Sequence, residues 1–104
     1  MENNDPKDYL PDEVRDYLPV KLIDAIKPYL SDVDAFYQTR IDFIDIIESV
    51  HQLAEFSKHF DYSKKDDLEK AVIRLQISFI EHIEHHINSL KKNIEYASEQ
   101  IFDE

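Results

Sequence analysis

No glycine occurs anywhere in the 104 residues. Hairpin turns and β-bulges ordinarily draw on glycine for backbone that other residues avoid. The loops of dinucleotide and P-loop sites need it so that backbone can approach phosphate. One absence therefore disfavours both sheet folds and nucleotide-binding α/β folds. The remaining composition, rich in Leu, Ile, Ala, Lys, Glu and Asp, is that of helices, and the fold class expected is all-α.

Prolines and apolar spacing place the helices. Residues 1–8 read as a flexible acidic tail, and 9–104 as a single helical domain. The tetrapeptide Asp-Tyr-Leu-Pro occurs at 8–11 and again at 16–19. Proline suits the first turn of a helix, where its missing N–H costs nothing. Pro11 thus opens a short helix ending near Tyr17, with Asp12 and Glu13 favoured in its first turn by the helix dipole. Pro19 opens a second through Leu22, Ile23 and Ile26, which Pro28 ends or kinks near Lys27. Ser31-Asp32-Val33-Asp34 is a capping sequence for the next helix. The apolar spacing Leu22, Ile26, Tyr29, Val33, Phe36 crosses Pro28, so a kinked continuous helix is the alternative.

The third helix is expected over about 32–59. Its stripe is Phe36, Phe43, Ile47, Val50 and Ala54, flanked by Ile46 and Leu53, the repeat of helix-on-helix packing. Phe60-Asp61-Tyr62 breaks the pattern, and Ser63-Lys64-Lys65-Asp66 caps a fourth helix over about 64–102. Leu68, Val72, Leu75, Phe79, Ile83, Ile87, Leu90, Ile94, Ala97 and Ile101 form its core line. At 1.5 Å per residue this helix is roughly 58 Å long and the third about 42 Å. An elongated antiparallel hairpin or bundle follows, two long helices plus short N-terminal ones. Ile73, Ile77 and Ile80 widen the apolar face of the fourth helix, and a broad face wants two neighbours. Pairing of two copies into a dimeric four-helix-type core meets that need.

The formal charge is −11, from 23 Asp plus Glu against 12 Lys plus Arg. Binding to nucleic-acid phosphates draws its affinity from a basic surface, so direct nucleic-acid binding is not expected, nor is binding to an anionic membrane. A basic protein partner is the complement, and plain solubility is the simpler account of the same charge. No apolar run approaches the ~18 residues of a membrane span, and the polar N-terminus is unlike a signal peptide. With no cysteine there is neither a disulfide framework nor thiolate chemistry. A cytoplasmic location is the expectation.

The candidate interface is an acidic line on the third helix. Asp34, Asp45, Glu48 and Glu55 fall on one side, away from the apolar stripe, with Asp42 beside them. No Lys or Arg lies between Arg40 and Lys58. A solvated helix face normally interleaves both signs for i,i+4 pairs. Ile41 and Phe56 share this side, and apolar anchors among carboxylates resemble an interface with hot spots. The function expected is a non-enzymatic acidic helical binding protein. Its role would be that of an inhibitor of the immunity, antitoxin or counter-defence type, occluding a basic surface of a protein partner. Asp34, Asp42, Asp45, Glu48 and Glu55 would carry charge, with Ile41 and Phe56 as anchors. A homodimeric helical adaptor or regulatory protein is the alternative.

Five histidines occur, at His51, His59, His82, His85 and His86. His82 and His86 have a zinc-ligand spacing, and are the candidates for a metal- or pH-responsive bundle. On a helical wheel His86 lies about 60–80° from the apolar centre and His82 about 100° away, so the two do not converge. Glu48-Ser49-Val50-His51 has the Glu-x-x-His spacing of di-iron bundles, but Glu48 falls about 140° from the stripe. Ser49, Ser57, Ser78, Ser89 and Ser98 lie in expected helices with no nucleophile elbow around them. No catalytic residue and no cofactor is assigned.

Overall fold

The structure, a computed structural model, describes residues 10–103. The tail expected over 1–8 lies outside them. Helices are α1 (Asp12–Arg15), α2 (Val20–Ile26), α3 (Val33–Ser57), α4 (Lys65–Ile73) and α5 (His82–Phe102). A π-helical segment, Arg74–Glu81, joins α4 to α5 without interruption, so 65–102 is one long helix. Among the described residues there is no strand, and no helix is long and apolar enough to cross a membrane.

The boundaries have local causes. Pro11 and Pro19 stand at the N-caps of α1 and α2. Pro28 sits in a 3-10 turn, Lys27–Tyr29, after which Leu30 is extended. The kinked continuous helix is therefore not what forms, because proline removes a backbone donor and its ring crowds the preceding turn. Asp32 caps α3, its carboxylate accepting from the Ala35 N–H at 2.8 Å. Between the long helices the chain reverses over 58–64. There the Tyr62 hydroxyl donates to the Ser57 carbonyl at 2.7 Å, and the Asp61 N–H donates to Asp67 Oδ2 at 2.9 Å.

α3 packs chiefly on α5. Asp42 meets His86 while Phe56 meets Arg74, so the two run in opposite directions. The core gathers Leu10, Leu18, Ile23, Leu30, Ala35, Phe36, Ile44 and Ala97, with Val14, Ile26, Phe43 and Ile47 packed on it. It lies where α1 and α2 meet the first half of α3 and the far end of α5. Each large side chain buried there contributes roughly 1.5–3 kcal/mol. The apolar stripe of α3 thus serves α1 and α2, and only its first half is covered: Phe36 is 4% exposed but Val50 49%. On the long helix Leu90 and Ala97 are buried, whereas Leu68, Val72, Leu75, Ile87, Ile94 and Ile101 are not.

Candidate functional site

Because the stripe of α3 turns toward α1 and α2, its polar side turns toward the long helix. Asp42 is the main consequence. It is 0% exposed, which corrects its assignment to a partner-binding surface. Its Oδ1 accepts from Gln38 Nε2 at 2.9 Å, one helical turn away, and lies 2.8 Å from His86 Nδ1. The other ring nitrogen, Nε2, lies 3.0 Å from Asp45 Oδ2. The imidazole of His86 is thus held between two carboxylates of α3, one buried and one half-buried. Asp42 Oδ2 is buried without a protein hydrogen-bond partner. Thr39, also 0% exposed, turns its hydroxyl back to the Ala35 carbonyl at 2.8 Å. The result is a buried polar clasp joining α3 to α5.

Beyond the clasp runs a polar groove of about 260 Å³. Asp45, Glu48, Ser49 and Gln52 line it from α3, and Arg74, Ser78 and His82 from the long helix. Hydrogen bonds of a π-helix run i→i+5, so Arg74, Ser78 and His82, spaced by four, follow one side. The Arg74 guanidinium stacks over Phe56 at 4.3 Å, and Phe60 packs edge-on to Phe56 at 4.7 Å.

The expected interface residues therefore do not form one outward surface. Asp45 and Glu48 are half-buried in the groove, and Phe56 is half-buried beneath Arg74. Asp34, Ile41 and Glu55 are exposed. Glu55 pairs with Lys58 at 2.6 Å, and that hydrogen bond and charge hold its carboxyl below the usual value of 4.5. His82 and His86 do come together, ring edge to ring face at 5.1 Å, but both nitrogens of His86 are engaged by carboxylates. Among the described residues no three His, Cys, Asp or Glu side chains are grouped to hold a metal ion.

A second site lies on the opposite side of α3. Val14 and Tyr17, near α1, and Ile46, Ile47, Val50, His51 and Ala54 of α3 line an apolar depression of about 430 Å³, to which no residue of the long helix contributes. His51 fixes α1 there, its Nε2 lying 3.0 Å from Glu13 Oε1. Tyr17 is 73% exposed at its edge. Glu13 and Asp16 of the same short segment are exposed, while Asp12 pairs with Arg15 at 3.0 Å. The sequence carried two signals for this site, the Asp-Tyr-Leu-Pro repeat around α1 and the run of the apolar stripe on to Val50 and Ala54.

No protein-family model, curated protein or solved structure matches this chain.

Proposed function

We propose that the chain is a non-enzymatic acidic binding protein that occludes a basic surface of a protein partner, and that it docks the partner on the depression between α1 and α3. One observation carries this reading: an open apolar hollow whose lining His51 meets the exposed carboxylate of Glu13, with exposed Asp16 next in sequence to the lining Tyr17. Apolar anchors supply binding energy, and surrounding charge selects and steers the partner. The matching partner segment is an amphipathic helix, apolar on one face and carrying Lys or Arg at its margins, a helix-in-groove mode. The surplus of 23 acidic over 12 basic residues extends that attraction beyond the contact itself. Immunity proteins, antitoxins and counter-defence inhibitors are the class of role that fits. In this reading α3 and the long helix form one hairpin that displays the hollow.

The experiment is capture from a lysate of the source organism with immobilised protein, in parallel with Asp16→Lys and Val50→Glu variants. Recovery of one basic protein is expected, reduced at about 0.5 M salt, where the screening length is only ~4 Å, and lost with both variants. Capture that neither variant alters overturns the assignment to this hollow.

A further inference from the structure

The first part of the long helix leaves two apolar flanks largely bare, one of Leu68, Val72 and Leu75, the other of Ile73, Ile77 and Ile80. Leu68 is 46% exposed, Val72 42%, Ile73 55%, Leu75 38%, Ile77 58% and Ile80 47%. The helical positions of Ile73 and Ile77 differ from those of Leu68, Val72 and Leu75 by about a quarter turn or more, so no single flank accounts for the set. An apolar flank of a helix normally faces a neighbour, and two flanks want two neighbours. Here α3 meets the side bearing Arg74, Ser78, Phe79 and His82.

We infer that a second copy of this chain covers residues 68–80, so that two long helices pack against one another at the heart of a symmetric dimer. Charge selects this occupant. Within 68–80 the charged residues are Glu69, Lys70 and Arg74, one acidic against two basic, in a chain whose net charge is −11. A strongly basic partner gains nothing there, whereas another copy brings the same weakly positive apolar stretch and keeps its carboxylates elsewhere. A two-fold interface asks for a self-complementary patch, and a long apolar helix laid against its own copy is one.

Area agrees. The chain of 12.4 kDa exposes 7583 Å², where a compact monomer of that mass exposes about 6,100 Å². The excess is nearly twice the ~800 Å² that each partner gives to a standard interface, enough even if part of it lies elsewhere in the chain. This inference is independent of the hollow between α1 and α3, which no residue of 65–102 lines.

The test is sedimentation equilibrium of the purified chain at micromolar concentration, with an Ile77→Glu/Ile80→Glu variant alongside. Twice 12.4 kDa is expected for the natural chain, and a dissociation constant raised at least 100-fold for the variant. Since that variant can fail to fold, a Gln76→Cys variant treated with a short bis-maleimide supplies a second reading in a chain that otherwise lacks cysteine. Efficient cross-linking at position 76, and none at an Asp103→Cys control, is the expected result. A natural chain that stays at 12.4 kDa, or a dimer that does not cross-link at position 76, overturns the proposal.

Discussion

At Asp42 a carboxylate with no exposed surface depends on Gln38 and His86 for its stability. Leaving a buried hydrogen-bonding group without its partner costs about 1–3 kcal/mol, while replacing both by apolar residues of similar shape is often nearly neutral. His86→Ala is therefore expected to lower stability by about that amount in urea denaturation, and Asp42→Leu with His86→Leu to recover most of the loss. Equal destabilisation of the single and double variants would contradict a clasp between these two side chains. Glu55 and Lys58 offer a smaller effect at the surface. Lys58 draws the Glu55 carboxyl below 4.5, so the pair's contribution is present above that value and is lost as pH falls through the lower folded value. An NMR titration should place the Glu55 midpoint below 4.5, and Lys58→Met should raise it. Asp61, held below its ordinary 3.8 by the Ser63 hydroxyl and N–H, should shift upward in Ser63→Ala.

Among the elements, α3 was the most legible in sequence and also the most misread. Its cap at Asp32 and its apolar repeat were plain, and the helix formed with nearly the expected ends. The direction its stripe would face was not, because periodicity gives a face but not the neighbour that covers it. The stripe meets α1 and α2, so the polar side meets the long helix and Asp42 is buried there. The spacings Gln38 to Asp42 and Asp42 to Asp45 did place a polar network on one side of the helix, but its partner stands 44 positions away at His86, and local spacing cannot supply that. The π segment was equally hidden, since Arg74–Glu81 continues the same helical pattern. Asp32→Ala should cost about 1 kcal/mol by loss of the cap, measurable in the same denaturation experiment. In native-state hydrogen exchange of the Ile77→Glu/Ile80→Glu variant, whose pairing is broken, amides of the π segment should exchange well before those near Phe36 and Thr39, because they lie under few covering side chains.

As a whole, the molecule measures 56 × 33 × 18 Å, with a radius of gyration of 16.8 Å against about 13 Å for a compact chain of this length. Elongation was legible, since a helix of 38 residues cannot fold back on itself, and the counted range 65–102 bears that length. The two polar features between α3 and the long helix were not, being products of how whole elements dock. The reversal at 58–64 now takes on another meaning. It is the stretch of chain that joins α3 to the long helix, and its hydrogen bonds, Tyr62 to Ser57, Asp61 to Asp67 and Ser63 to Asp61 among them, are local. Straightening it would carry the whole long helix away from its own α3 and onto that of a neighbour, with His86 seating against a neighbour's Asp42 in the same geometry. Such an exchange preserves every contact except the reversal itself, so crowding at high protein concentration and the stiffness of seven residues would decide whether two chains stand side by side or interlock.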